Sequence, residues 1–165
     1  MRKIERIFIH CTASNQKITK QQLLNEFKAR GWKNPGYHYV IFPDGKLEQL
    51  LAEDKVSNGV AGYNSTSINI AYVGGIDKQG RPVDNRTQAQ KDALIDLLMY
   101  LIQQYPNAHI MGHRDIWGKD KSKWLKYCPC FDAEEEYKYI GQIIRLSKNE
   151  TNITLVGTFI LLYLS

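Results

Sequence analysis

Two histidines and a pair of cysteines are the residues of this sequence whose chemistry stands out. His10 ends the apolar run IFIH, and His113 follows the short run AHIM after one glycine. Cys128 lies fifteen residues after His113, and Cys130 lies two residues further on. Imidazole nitrogen and thiolate sulfur both bind zinc, and a catalytic zinc site commonly has three protein ligands and one position for water. His10, His113 and one of the two cysteines would supply such a set.

Each of these residues also has a purely structural interpretation. A lone histidine can mark the end of a strand, and neighbouring cysteines often pack as small buried hydrophobes. A shared site is favoured because both histidines follow strands, where loops build sites. Cys11 follows His10 along a strand and points to the opposite face, so we expect it in the core. With three cysteines, a complete disulfide framework is excluded.

Tyr37 and Lys126 are further candidates for chemistry. Tyr37 begins a predicted strand, where its hydroxyl could reach a site, although a tyrosine in a strand more often serves packing. Lys126 lies two residues before Cys128. It is either a solvated surface lysine or a cation placed to stabilise an oxyanion.

Alternating strands and helices would position these residues. The pattern of β-branched and aromatic residues predicts strands at 4–9, 37–42, 46–51, 67–73 and 108–111. Two helices are predicted to begin at capping boxes formed by Thr19 with Gln22 and by Thr87 with Gln90. A last helix is predicted from Asp132 to about Leu146. This order indicates one sheet in a single α/β or α+β domain.

Composition agrees with one globular domain. The chain has 165 residues, 43% hydrophobic and 24% charged, which excludes global disorder. The formal charge of +5 suits an anionic partner such as nucleic acid, a membrane surface or a cell-wall polymer, without selecting one. The segment MRKIERIFIH has no apolar h-region, so we expect no secretory signal and synthesis in the cytoplasm.

The last fifteen residues, TNITLVGTFILLYLS, carry no charge. A membrane-spanning helix needs about 20 apolar residues, so this stretch is short for a span. We expect a domain over residues 1–146 and an apolar tail over 147–165. The tail would pack on the domain or, alternatively, contact a membrane.

Six blocks of the sequence, in this order and spacing, resemble one family. It is the zinc-dependent N-acetylmuramoyl-L-alanine amidases of the type-2 amidase and peptidoglycan-recognition superfamily, which includes T7-type phage endolysins. The blocks are IFIHCTAS (7–14), GWKNPGYHYVIFPDG (31–45), GYNSTSINIAYVGGID (62–77), TQAQ (87–90), GHRD (112–115) and KYCPCFD (126–132). The resemblance runs from about residue 4 to about residue 140.

This resemblance implies a mixed α/β fold with a central mixed sheet flanked by helices. It also implies a zinc ion held by His10, His113 and Cys128, since the family's ligand is the cysteine directly before proline. Tyr37 corresponds to the family's catalytic tyrosine and Lys126 to its catalytic lysine. One departure concerns Gly59, which stands where T7-type members carry a histidine that is not a metal ligand.

The implied function is hydrolysis of the amide between N-acetylmuramic acid and the L-alanine of the stem peptide. The chain would then be a monomeric phage or prophage endolysin that acts on the cell wall after release, with peptidoglycan as substrate and no nucleic-acid partner. The alternative is a non-catalytic peptidoglycan-recognition module, which typically lacks the zinc cysteine. A metal-dependent nuclease would require a carboxylate-rich magnesium site.

Overall fold

The computed structural model describes residues 2–140. It contains five strands and three α-helices, in the order β1 (Arg6–Cys11), α1 (Lys20–Ala29), β2 (Tyr39–Ile41), β3 (Leu47–Gln49), β4 (Ser67–Tyr72), α2 (Gln88–Gln104), β5 (His109–Gly112) and α3 (Ala133–Tyr137). Both predicted capping boxes are present at the starts of α1 and α2. The tail predicted over 147–165 and the boundary at 146 lie outside the described residues.

The strands form one mixed sheet in the order β3-β2-β4-β1-β5. Strand β1 pairs in parallel with both β4 and β5, and β2 pairs in parallel with β4. Only the β2–β3 hairpin is antiparallel within this sheet. The mixed sheet expected from the family resemblance is therefore confirmed.

Alternation along the strands gives the sheet two different faces. One face carries Ile7, Ile9 and Cys11, and it packs against α2 and α3 in the larger hydrophobic core. The opposite face packs against α1 through Leu23 and Phe27. Cys11 thus lies in the core, as predicted. Phe8 and His10 alternate with these core residues and so point to the α1 face.

The strand limits differ from those expected from the sequence alone. Strand β1 extends to Cys11 because Tyr72 of β4 pairs with that residue, so His10 lies inside the strand and not at its end. Strands β2 and β3 are three residues each, shorter than the predicted 37–42 and 46–51. Tyr37 consequently precedes β2. Pairing partners, which single-sequence patterns do not reveal, set these limits.

Among the helices of residues 2–140, none combines the length and apolar character that crossing a membrane requires.

Arg86 joins the loop after β4 to α3. Its guanidinium donates hydrogen bonds to Asp84 at 2.8 and 2.9 Å, to Glu136 at 2.9 Å and to the Tyr137 hydroxyl at 2.9 Å. It also lies 3.2 Å from the ring centroid of Phe131. The Arg86 side chain is only 1% exposed, so its charge depends on these partners.

We expect Arg86→Met to lower the free energy of unfolding by about 2 kcal/mol, because it removes several hydrogen bonds to charged groups while Asp84 and Glu136, 30% and 38% exposed, regain part of their solvation. Arg81→Met is the matched control. Arg81 pairs with Asp77, but its side chain is 73% exposed, so the cost should be at most about 1 kcal/mol. Urea unfolding of the two variants measures both values. Equal losses would contradict a special role for Arg86.

Candidate metal centre

Three side chains from distant parts of the chain meet on the α1 face of the sheet. His10 lies in β1, His113 directly follows β5, and Cys128 lies in the segment before α3. Their ligand atoms all lie within 4.8 Å of one another, and Cys128 Sγ lies 3.7 Å from His10 Nδ1. Bonds of about 2.0–2.3 Å to a tetrahedral zinc would separate two ligands by about 3.5 Å. The group is therefore the right size to hold a metal ion.

The two histidines are buried and electrically neutral. Burial, with a smaller effect of the nearby Lys126 charge, lowers the pKa of His10 to about 4. Burial, followed by the proximity of His10 and of the Lys126 charge, lowers the pKa of His113 to about 3. A histidine that binds a metal must be a neutral imidazole with a free lone pair on the nitrogen that faces the metal. Both rings meet that requirement at neutral pH.

Hydrogen bonds and packing orient both rings. Nε2 of His10 lies 2.8 Å from Oδ1 of Asn69, which leaves Nδ1 directed toward Cys128. The rings of His10 and His113 meet edge to face, with centroids 4.9 Å apart. The ring of Trp117 stacks on the ring of His113, with their centroids 5.6 Å apart.

Cys128 is held beside the histidines by backbone contacts. The N–H of Cys11 donates to Cys128 Sγ at 3.3 Å, and the N–H of Arg114 donates to the Cys128 carbonyl at 2.9 Å. A Cβ on Gly112 would lie 2.5 Å from Pro129 Cδ, so only glycine lets this segment approach β5 so closely.

Cys130 belongs to a different environment. Its thiol donates to the carbonyl of Gly75 at 3.3 Å and lies 3.8 Å from the thiol of Cys11. Its side chain, like that of Cys128, packs against the larger hydrophobic core, so the contacts of its thiol and not its packing set it apart. The sequence left open which cysteine joins the histidines, and the geometry groups them with Cys128.

Tyr37 borders the same site. Its ring centroid lies 5.2 Å from that of His10 and 5.4 Å from that of Phe27, and its hydroxyl lies 3.5 Å from the carbonyl oxygen of Cys11. Burial raises the pKa of the Tyr37 hydroxyl well above its usual value. The hydroxyl therefore stays protonated and able to donate a hydrogen bond.

Lys126 is exposed, and among residues 2–140 it forms no ion pair with a carboxylate. Its charge makes the smallest contribution to the lowered pKa values of the two histidines, after burial. The structure thus brings His10, His113, Cys128 and Tyr37 together, while Lys126 lies on the exposed segment that carries Cys128. Asn69, which contacts His10, was not among the predicted residues. Its polar side chain interrupts the apolar run SINIAYV, and that interruption is the signal for it in the sequence.

Comparison with known proteins identifies the family of this chain. Residues 1–130 match the family N-acetylmuramoyl-L-alanine amidase. An endolysin of Klebsiella phage KP32 is 39% identical over 130 residues, covering 78% of this chain and 82% of the relative. An endolysin of Escherichia phage T7 is 35% identical over 130 residues, covering 78% and 82%.

A solved structure shares the fold as well. The N-acetylmuramoyl-L-alanine amidase LysC from Clostridium intestinale URNW superposes with a TM-score of 0.67 and 27% identity, covering 84% of each chain. The chain belongs to the N-acetylmuramoyl-L-alanine amidase family. The family resemblance drawn from the six sequence blocks is confirmed.

We expect Cys128→Ser to abolish stoichiometric metal binding, because a hydroxyl replaces the thiolate ligand. Cys130→Ser is the matched control and should retain one metal ion per chain, since Cys130 Sγ faces the carbonyl of Gly75. Metal content after dialysis against zinc, measured by mass spectrometry, separates the variants. The opposite pattern would show that the wrong cysteine was chosen.

Proposed function

We propose that this chain is a zinc-dependent endolysin. It hydrolyses the amide between the lactyl group of N-acetylmuramic acid and the L-alanine of the peptidoglycan stem peptide, and its catalytic domain spans residues 1–146. The observation that carries this proposal is the group of His10, His113 and Cys128, whose ligand atoms lie within 4.8 Å in a chain of the amidase family.

The donor set fits zinc better than the other common metals. Two imidazoles and one thiolate suit zinc, whereas magnesium and calcium take oxygen ligands. Three protein ligands also leave a fourth position for water, as catalytic zinc sites do. When bound, zinc supplies Lewis acidity to the scissile carbonyl and to the attacking water.

Tyr37 and Lys126 act on the transition state in this proposal. The Tyr37 hydroxyl, fixed by packing of its ring against His10, donates a hydrogen bond that orients the water or the developing oxyanion. The Lys126 ammonium stabilises the oxyanion by its charge. A preorganised donor at a developing charge typically contributes about 10²–10³ in rate.

Digestion of purified peptidoglycan should release free stem peptides with new L-alanine amino termini and leave the glycan strands intact. Mass spectrometry of the products identifies the bond that is cut. EDTA should abolish the reaction, and added zinc should restore it. New reducing sugar ends would identify a glycosidase, and binding without any cleavage would identify a recognition module; either result contradicts the proposal.

Tyr37→Phe and Lys126→Met should each retain one zinc ion and lower kcat by about 10²-fold or more, with little change in KM. Lys123→Met is the control, because Lys123 lies in the same segment and faces Asp120, 3.8 Å away. Its kcat should equal that of the unaltered enzyme. Steady-state kinetics on a soluble muropeptide provide the comparison.

The double variant should lose less activity than the product of the two single losses, because both groups serve one developing charge. A zinc-loaded Lys126→Met enzyme with normal kcat would show that Lys126 is an ordinary surface lysine. The stabilisation of the oxyanion would then fall to the metal and Tyr37.

A further inference from the structure

Asn69 is a fully buried polar residue in the centre of the sheet. It lies in β4 between Ile68 and Ile70, and none of its surface reaches solvent. Burying an amide without partners costs about 1–3 kcal/mol in proteins. A buried amide in an otherwise apolar strand therefore requires hydrogen-bond partners.

The Asn69 amide links His10 to two serines. Its Oδ1 lies 2.8 Å from His10 Nε2, and its Nδ2 donates to Ser57 Oγ at 2.8 Å and to Ser67 Oγ at 3.4 Å. Both serines are buried. The side chain of Asn69 thus joins His10, Ser57 and Ser67 in one group of hydrogen bonds.

The backbone of Asn69 is fixed independently of its side chain. Its N–H donates to His38 Nδ1 at 3.0 Å, and its carbonyl accepts from the His38 N–H at 2.8 Å. Pairing of β4 with β1 places Asn69 opposite Phe8, two residues before His10 on the same face. Strand pairing therefore holds the Asn69 amide beside the ring of His10.

An amide oxygen can only accept a hydrogen bond, so the contact with Asn69 Oδ1 puts the ring proton of neutral His10 on Nε2. The lone pair then lies on Nδ1, which is the atom 3.7 Å from Cys128 Sγ. The other tautomer would place a proton where the metal must bind. A hydrogen bond to the distal nitrogen commonly fixes the tautomer and the ring orientation of a metal-binding histidine.

Gly59 makes room for this arrangement. A Cβ at residue 59 would lie 2.3 Å from Asn69 Oδ1 and 2.4 Å from Asn69 Cγ, distances that no real contact shows. The backbone of Gly59 is not in the left-handed region, so conformation does not require glycine there. The requirement is steric, and Asn69 imposes it.

We propose that Asn69 is a positioning residue of the metal centre, which holds His10 in the Nε2–H tautomer with Nδ1 free for the metal, and that Gly59 is its steric complement. This inference rests on the proposed metal site, but the tautomer is a property of the metal-free protein and can be measured separately.

The first test is the tautomer of His10 in the folded, metal-free chain. Two-bond ¹H–¹⁵N correlation spectra at about pH 8, above the usual histidine pKa of about 6.5, should show only the Nε2–H form of His10. Asn69→Ala should yield a mixture of both tautomers. Asn69→Asp should restore the single form, because a carboxylate also accepts from Nε2. A role in packing alone would not move this signal.

Zinc affinity is the second measurement. Asn69→Ala should weaken zinc binding about 10–100-fold in competition titrations with a chelator. Asn58→Ala is the matched control. Its Nδ2 donates to the Asn34 carbonyl at 2.7 Å, so this variant removes an amide beside Gly59 without removing a contact to a metal ligand. This control should bind zinc with unchanged affinity and keep the single tautomer.

Gly59→Ala tests whether residues 59 and 69 depend on each other. It also provides a second test of the proposal if Asn69→Ala does not fold. Alone it should displace the Asn69 amide, giving mixed tautomers and a similar loss of zinc affinity. In the Asn69→Ala background the same substitution should cause no further loss, since the clash is gone. Additive losses, or an Asn69→Ala protein with one tautomer and normal affinity, would overturn the proposal. Failure of the unaltered chain to bind zinc would instead overturn the proposed function.

Discussion

The parallel pairing of β1 with β5 is the contact on which the site depends. Ile9 pairs with Gly112, so the next residues along the two strands, His10 and His113, come together with ring centroids 4.9 Å apart. A slip of one residue would turn His10 to the opposite face, because side chains alternate along a strand. The core-facing residues Ile7 and Ile9 oppose that slip, since it would remove them from the larger hydrophobic core. Packing on one face thus enforces the geometry on the other.

Burial of the site requires that its polar groups satisfy one another. His10, Asn69, Ser57 and Ser67 are all less than 2% exposed, and hydrogen bonds connect them in one network. A buried network that is fully connected specifies one arrangement, whereas isolated buried polar groups would only destabilise the fold. The same desolvation keeps both histidines neutral at physiological pH. The packing of this face and the arrangement of the candidate metal ligands therefore depend on one set of contacts.

The remaining candidate residues combine packing with access to substrate. Tyr37 contacts Phe27 of α1 on one side and His10 on the other, so the helix that covers this face also fixes the hydroxyl at the site. Lys126 is exposed on the segment that carries Cys128. The candidate metal ligands are held by the sheet, and the exposed Lys126 lies on the segment beside them. A cation at the surface can meet a polymeric substrate that is too large for a deep pocket. Cell-wall peptidoglycan is such a substrate.

The order of the strands and helices, the candidate residues and the family resemblance could all be predicted from the sequence. Capping boxes marked the starts of α1 and α2, alternation assigned Cys11 to the core, and six ordered blocks carried the resemblance. These signals are local or depend on order along the chain, so one sequence contains them.

Only the tertiary structure decided which atoms meet. His10 and Asn69 are 59 residues apart, and their hydrogen bond exists because β1 and β4 pair in one particular register. Residue 59 must be glycine because a Cβ there would clash with the Asn69 amide that makes this hydrogen bond. The backbone conformation of residue 59 does not itself require glycine. The grouping of Cys128 with the histidines depends likewise on the close approach of Pro129 to Gly112. Such contacts join segments that are distant in the chain, and their distances are set by packing.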